Sequence, residues 1–260
     1  MPAAPPAFDQ PAVVFRLRAA GCVFAEDEAG LLVEAAATPA ELAVLVARRV
    51  AGEPLEHLLG WAEFCGLRVV VGPGVFVPRR RTGFLVRQAA ALAVPGAVVV
   101  DLCCGSGAVG AALAAAVEGI ELHAADVDPV AVAFAQRNLG TAEVHEGDLF
   151  DALPGALRGR VNVLVANVPY VPSGSIALMP PEARDHEPRI ALDGGPDGLD
   201  VVRRVSGGAP VWLAPGGALL FESSAGQAPR AVEIVAAAGL APRVVTDDEL
   251  GATVVVGTRR

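Results

Sequence analysis

The sequence predicts an α/β fold in which helices cover both faces of a mostly parallel sheet. From about residue 84 onward, short apolar runs that suit strands alternate with longer segments of helical periodicity. The last two strand-like runs, 243–246 and 252–257, are joined by only a few residues, which requires an antiparallel pair because a parallel crossover takes a dozen or more. The chain of 260 residues also has room for a small companion domain.

Two smaller parts are predicted before the sheet. Residues 1–58 have helical apolar spacing and are expected to form an N-terminal helical domain, in which Thr38 can cap a helix that begins at Pro39. Residues 59–78 are expected to form a β-hairpin linker. Its two strand-like runs flank the turn-forming sequence Gly72-Pro73-Gly74 and span 61–71 and 75–77.

The α/β domain is expected to occupy residues 79–260. Besides the final antiparallel pair, its predicted strands are 97–103, 120–125, 142–146, 161–166 and 218–222. Its predicted helices are 108–117, 129–139, 198–206 and 227–238. The segment 171–197, between the predicted strand 161–166 and the predicted helix 198–206, is long enough to be a functional lid.

Composition limits the classes of function. The formal net charge is −9, which opposes broad binding to nucleic-acid phosphates, although Arg79, Arg80 and Arg81 form one basic cluster. The four cysteines lack the CxxC spacing of zinc sites, so no metal is expected. No apolar run is long enough to span a membrane, and the Pro-rich start lacks the pattern of a secretory signal. These observations favour a cytoplasmic protein.

A glycine-rich turn follows the first predicted strand of the sheet. The run Gly105-Ser-Gly-Ala-Val-Gly110 matches the GxGxxG pattern of dinucleotide-binding folds, but this match alone is weak. Asp101 discriminates between cofactors, because its carboxylate at the strand end would repel a diphosphate and attract the positive amino group of S-adenosylmethionine. Cys103, Gly105 and Gly107 are then the predicted cofactor-binding residues of the turn.

Two more acidic residues follow the next two predicted strands. Asp126 lies where nucleoside-binding α/β folds place an acid on the ribose hydroxyls. Asp148 could accept a hydrogen bond from an adenine amino group, while Leu149 packs on the ring. The alternative is that these acids only cap the following helices, as Asp128 before Pro129 is expected to do.

The fourth predicted strand ends in Asn167-Val168-Pro169-Tyr170, and two interpretations of this segment remain open. Asn and Pro are common in turns, so the segment could serve only to reverse the chain. Alternatively, Asn167 and the backbone after it bind a planar nitrogen substrate at the edge of the sheet where the acids lie.

Together with Asp101-Leu-Cys-Cys-Gly-Ser-Gly107, this segment resembles the (N/D)PP(Y/F) motif of class I S-adenosylmethionine-dependent N-methyltransferases. From about residue 50 to the C-terminus, further blocks are similar to the HemK/PrmC family, the glutamine N5-methyltransferases of peptide-chain release factors. These blocks are Gly52-Glu-Pro-Leu-Glu-His-Leu-Leu-Gly60, Phe64, Val77-Pro-Arg79 and Glu187-Pro-Arg-Ile-Ala-Leu-Asp-Gly-Gly195. The resemblance implies a Rossmann-like methyltransferase domain, S-adenosylmethionine as cofactor and a release factor as protein partner.

The resemblance also implies roles for the four residues after the strand. The side-chain oxygen of Asn167 and the carbonyl of Val168 would accept the two N–H groups of a substrate amide, with Asn167 also next to the cofactor. Pro169 would keep the carbonyl aimed, because a proline favours extended backbone in the residue before it. Tyr170 would form a flat wall against the substrate, and Arg79 would be a further substrate-binding residue.

Three departures from the family pattern predict a divergent member. Val168 replaces the first proline of the motif, Cys103 replaces the first motif glycine, and Arg80-Arg81-Thr82-Gly83 replaces a Pro-Asp-Thr-Glu run. The last change could shift the preference to a different protein substrate. Two rival functions are methylation of a nucleic-acid amino group or small-molecule amine, and binding of the cofactor without turnover.

Overall fold

The computed structural model of the protein describes residues 9–260, so the Pro-rich start at residues 1–8 lies outside the described residues. Four helices open the described chain, packed around the buried Leu17, Leu32 and Val46. Thr38 Oγ1 accepts a hydrogen bond from Glu41 N at 3.2 Å, which confirms the predicted helix start. The helices are α1 (Gln10–Ala19), α2 (Ala25–Ala35), α3 (Pro39–Val50) and α4 (Leu55–Leu59).

The hairpin is shorter than predicted, and its turn is elsewhere. Strands β1 (Trp61–Phe64) and β2 (Leu67–Val70) pair antiparallel. They are joined by Cys65 and Gly66, which have φ values of 51° and 79°, the backbone of a tight two-residue hairpin turn. The predicted pairing of 61–71 with 75–77 is therefore wrong, because the strand reverses at this turn before it reaches Gly72.

A seven-stranded sheet forms the body of the protein, in the spatial order β5-β4-β3-β6-β7-β9-β8. Within this sheet, strands β3 to β7 pair in parallel. Strands β8 and β9 pair antiparallel with each other, which confirms the predicted C-terminal pair. The strands are β3 (Val98–Leu102), β4 (Glu121–Asp126), β5 (Glu143–Glu146), β6 (Val161–Ala166), β7 (Leu213–Ser223), β8 (Ala241–Asp247) and β9 (Ala252–Thr258).

Helices cover both faces of this sheet, as predicted. Buried side chains of successive strand residues, such as Val99 and Val100 of β3, belong to cores on opposite faces. The remaining helices are α5 (Gly83–Ala90), α6 (Ala108–Ala116), α7 (Pro129–Leu139), α8 (Pro181–His186), α9 (Asp200–Trp212) and α10 (Ala228–Ala237). Within residues 9–260, no helix is both long and apolar enough to cross a membrane.

The order of the strands determines where a ligand can bind. Strands β3 and β6 are neighbours, and the chain proceeds from β3 toward one edge of the sheet and from β6 toward the other. In open α/β sheets, the crevice at such a reversal, beyond the carboxyl ends of the strands, is where ligands bind. Asp101 of β3 and Asn167 after β6 lie on either side of this crevice. The limits of the three predicted domains remain a prediction.

Candidate active site

A cavity of about 840 Å³ opens at the carboxyl ends of β3, β4 and β6. Its volume lies in the range of pockets that hold cofactors and substrates, about 300–1,000 Å³. The segment after the hairpin and the segment 188–195 form its other walls. The predicted site residues that line it are Arg79, Asp101, Cys103, Gly105, Asp126, Asp148, Leu149, Asn167, Val168, Pro169 and Tyr170.

Asp101 has one carboxylate oxygen bound to the protein and one available to a ligand. Its Oδ2 accepts a hydrogen bond from Gly110 N at 2.9 Å, whereas Oδ1 is buried without a partner among the described residues. Burial raises the pKa of Asp101 to about 7. A cationic group in the cavity would satisfy the oxygen and favour the charged form of the carboxyl group.

Two of the three predicted residues in the turn after β3 line the cavity, and the third does not. Cys103 and Gly105 line the cavity in left-handed backbone conformations, with φ values of 54° and 55°. Gly107 is not among the lining residues, and its place at the cofactor stays a prediction. Its φ is 77°, and a Cβ there would lie 3.0 Å from Leu139, so this glycine lets the turn pack against α7.

The thiol of Cys103 is unsuited to act as a nucleophile. Burial raises its pKa, and the nearby Asp126 and Asp101 raise it further. The neutral thiol therefore persists in the cavity wall, and its surroundings do not activate it.

Asp126 stabilises the backbone of the turn, and its neighbour caps the helix. Asp126 Oδ2 accepts from Gly105 N at 2.8 Å and Oδ1 accepts from Asp128 N at 3.0 Å. Asp128 Oδ1 accepts from Val130 N at 2.9 Å at the start of α7, which confirms it as the helix cap. Asp126 is therefore not needed as a cap, and it remains in the cavity wall, where burial raises its pKa.

Asp148 and Leu149 follow β5 at the side of the cavity. Asp148 Oδ2 forms an ion pair with Arg204 Nη2 of α9 at 2.6 Å, and Arg204 also lines the cavity. Leu149 is 9% exposed and has a φ of 50°, an uncommon conformation for a residue other than glycine. Leu149 and Asp148 therefore present one apolar side chain and one half-exposed carboxylate to the same side of the cavity.

Asn167 presents an unpaired amide oxygen to the crevice. Its Oδ1 is buried and has no hydrogen-bond partner within the part of the chain described. Val168 after it is 2% exposed. The backbone then runs against the segment 193–198, where a Cβ on Gly194 would lie 2.7 Å from the carbonyl oxygen of Pro169. This close approach fixes the position of the backbone after Asn167.

Tyr170 is held by a buried carboxylate that the sequence did not reveal. Its hydroxyl donates to Glu222 Oε1 at 2.9 Å and accepts a hydrogen bond from Arg81 Nη2. Glu222, at the end of β7, also accepts from Arg81 Nε at 2.7 Å and from Thr82 Oγ1 at 2.8 Å. Burial and the neighbouring Glu222 raise the pKa of Tyr170 to about 12, so its hydroxyl remains protonated at neutral pH.

Arg79 is attached to the segment that follows α8. Its Nη2 lies 2.5 Å from Oε2 of Glu187, whose side chain is 1% exposed, and Glu187 Oε1 accepts from Val77 N at 3.1 Å. The guanidinium group also lies over the Phe76 ring, 4.7 Å from its centroid. Glu187 therefore joins two walls of the cavity.

Comparisons with known proteins agree with this fold. A sequence model of the methyltransferase small domain matches residues 66–178. The release factor glutamine methyltransferase of Geobacter sulfurreducens is 40% identical over 231 residues, which are 85% of this chain and 79% of that protein. The enzyme of the same name from Streptomyces coelicolor is 41% identical over 194 residues, 71% of this chain and 69% of that protein.

Solved structures show the same fold at low sequence identity. A methyltransferase from Pyrococcus furiosus superposes with a TM-score of 0.57 and 15% identity, covering 75% of this chain and 89% of that chain. The Thermus thermophilus 16S rRNA N2 G1207 methyltransferase, solved with AdoMet and guanosine, has a TM-score of 0.54 and 21% identity, covering 77% of this chain and 50% of that one. The fold is therefore that of the Rossmann-like methyltransferases.

Proposed function

The chain belongs to the family of release factor glutamine methyltransferases, and we propose that it transfers a methyl group from S-adenosylmethionine to the side-chain amide nitrogen of a glutamine in a release-factor-like protein. One observation carries the proposal: Asn167 Oδ1 is a buried acceptor without a partner among residues 9–260. It lies in the same cavity as Asp101 and Asp126. An amide N–H group of a substrate is a suitable donor for this oxygen.

The residues of the cavity fit S-adenosylmethionine. The free oxygen of Asp101 suits the positive amino group of the amino-acid part, and Asp126 suits the ribose hydroxyls. Asp148 and Leu149 suit the amino group and the face of the adenine. A dinucleotide fits less well, because its diphosphate would meet three carboxylates at this edge.

S-adenosylmethionine supplies a methyl group on a positively charged sulfur. An amide nitrogen is a poor nucleophile, because its lone pair is delocalised into the carbonyl group. Asn167 Oδ1 and the carbonyl oxygen of Val168 accept its two N–H groups, which orients the lone pair and stabilises the positive charge that develops on nitrogen. Tyr170 supports the planar amide from the side. As the N–CH₃ bond forms, the S–CH₃ bond would break and S-adenosylhomocysteine would leave. The nitrogen would then release one of its N–H protons to water, so no strong base is required during the transfer.

The decisive variant is Asn167→Ala. Removing one preorganised polar group of this kind typically lowers turnover by about 10²–10³-fold. We expect that loss with the affinity for S-adenosylmethionine nearly unchanged, whereas Val168→Pro keeps the carbonyl and serves as the matched control with near-normal turnover. If turnover and cofactor affinity fell together in Asn167→Ala, the side chain would be structural.

The acceptor is identified with labelled S-adenosylmethionine. Purified protein is incubated with a full-length release factor, with its Gln→Ala variant, and with total RNA. Label on the intact factor, and none on the variant, supports the proposal. Label on RNA without label on protein would replace it with the nucleic-acid rival.

A further inference from the structure

A second group of polar side chains lies on strands β4 and β5. The triplets Glu121-Leu-His123 and Glu143-Val-His145 repeat the same pattern on neighbouring strands, and His123 and Glu143 are paired in register. Because strand side chains alternate, the two acids and two histidines lie on one face of the sheet. None of the four is among the residues that line the active-site cavity.

Three of these side chains each bring one possible ligand atom within 3.8 Å of the other two. His123 Nδ1 lies 3.3 Å from His145 Nε2 and 3.5 Å from Glu143 Oε2, and the last two atoms are 3.8 Å apart. Tetrahedral zinc has Zn–N and Zn–O bonds of about 2.0–2.2 Å, which separate neighbouring ligand atoms by about 3.3–3.6 Å. The three distances thus approximate one face of a zinc tetrahedron before any adjustment.

The surrounding residues orient the first histidine as a ligand. His123 Nε2 lies 3.2 Å from Glu121 Oε1, and Arg160 Nη2 lies 3.0 Å from the other oxygen of Glu121. A carboxylate that accepts from one ring nitrogen leaves the opposite nitrogen free to bind a metal, and such carboxylates are typical partners of metal-bound histidines. His123 is 5% exposed, so its ring has little freedom to turn away.

The second histidine lies beside the first. The side chain of His145 is 18% exposed, and its ring is stacked against that of His123 with the ring centroids 5.6 Å apart. Glu143, by contrast, is largely exposed, so the centre is accessible from solvent.

We propose that His123, His145 and Glu143 bind a Zn²⁺ ion, whose fourth position is open to water. Two histidines and one glutamate form a known set of zinc ligands. The ion would connect β5, a short strand at the edge of the sheet, to β4. Because β5 leads directly to Asp148 and Leu149, the ion would stabilise one side of the cavity without taking part in methyl transfer.

The test is a titration of zinc into the chelator-treated full-length protein. Binding is measured by calorimetry under reducing conditions. We expect one equivalent to bind and the melting temperature to rise. His123→Ala and Glu143→Gln should abolish this binding. Glu121→Gln, which removes only the orienting carboxylate, should weaken it by about 10–100-fold. Glu143→Gln is the safer variant for folding, because the side chain is 65% exposed.

His186→Ala and Cys65→Ser are the matched controls, since they remove another histidine and an exposed thiol outside the cluster. Both should bind zinc as the unchanged protein does. The proposal is overturned if the unchanged protein binds no zinc, or if His123→Ala and Glu143→Gln bind it equally well. The experiment measures zinc alone, so its outcome is independent of the proposed methyl transfer.

Discussion

Replacement of Glu222 by glutamine tests whether the buried carboxylate positions Tyr170, the side chain that is expected to form a wall against the substrate. Glu222 is 3% exposed and accepts hydrogen bonds from Arg81, Thr82 and Tyr170. Glutamine has nearly the same shape but presents an NH₂ group in place of one acceptor oxygen. The hydroxyl group that faces the NH₂ group must turn to accept instead of donating, and the arginine loses its counter-charge.

The expected loss of stability follows from these contacts. A hydrogen bond to a charged group contributes about 1.5–3 kcal/mol, and a buried donor left without an acceptor costs a similar amount. The Arg81 side chain is 46% exposed, so solvent screening reduces its share. We therefore expect Glu222→Gln to lower the free energy of unfolding by about 2–4 kcal/mol.

The effect on turnover distinguishes positioning from general stability. A displacement of about 1 Å at a reacting group can cost about 10²-fold in rate. We expect Glu222→Gln to lower the single-turnover rate by about 10–100-fold on this basis, with little change in S-adenosylmethionine affinity. Thr82→Val is the matched control, because it removes one bond to Glu222 but leaves the Tyr170 hydroxyl attached. Urea unfolding and rapid-quench assays give the two quantities.

Two outcomes would refute this reasoning. If Glu222→Gln kept full turnover, the carboxylate would not determine where Tyr170 lies. If Thr82→Val slowed turnover as much as Glu222→Gln, the loss would come from general destabilisation of this region.

Three further predictions concern the cofactor and the N-terminal helices. Asp126→Ala should weaken S-adenosylmethionine binding by about 1–3 kcal/mol, the contribution of a lost charge-assisted hydrogen bond; unchanged affinity in calorimetry would remove Asp126 from the site. The pKa of Asp101 is about 7, so its free carboxyl group is protonated at pH 6 and ionised at pH 8. Because the cofactor needs the ionised form, affinity should fall by about tenfold from pH 8 to pH 6, and a matching slope in Asp101→Asn would contradict this origin. Glu28→Ala leaves Arg49 without its buried partner at 2.6 Å and should lower the free energy of unfolding in urea by about 3 kcal/mol. Glu182 Oε1 also lies 3.5 Å from Arg49 Nη1, so an unchanged midpoint would show that Glu182 compensates.

The sequence predicts the order of the elements because their periodicities are strong, but it misjudges some ends. The sequence predicts a helix over 198–206, but α9 extends to Trp212 even though Gly207, Gly208 and Pro210 disfavour a helix. Ala209 and Trp212 are buried against the sheet, and tertiary packing outweighs the local preference. Gly208 also has a packing role, because a Cβ there would lie 2.4 Å from the Phe150 ring.

The polar residues at the strand ends of the site could be predicted for a geometrical reason. Parallel strands deliver their carboxyl ends to one edge of the sheet, so local motifs are sufficient to bring Asp101, Asp126 and Asn167 together. The contacts of Glu222 with Tyr170 and Thr82 join positions that are 52 and 140 residues apart. No local pattern encodes such pairs; the only signal was a charged residue at the end of an apolar strand.

Arg81 shows how these distant contacts change the interpretation of the sequence. As a replacement for an acidic residue of the family pattern, it suggested a reversed charge on the surface that meets the protein substrate. In the structure its guanidinium group is paired with Glu222 and bonded to the Tyr170 hydroxyl. Its charge is thus largely balanced within the cavity wall, while Arg80 is exposed and forms no ion pair with the described residues. The departure at Arg81 therefore supports Tyr170 in the cavity wall, and the change that a partner would meet is concentrated at Arg80.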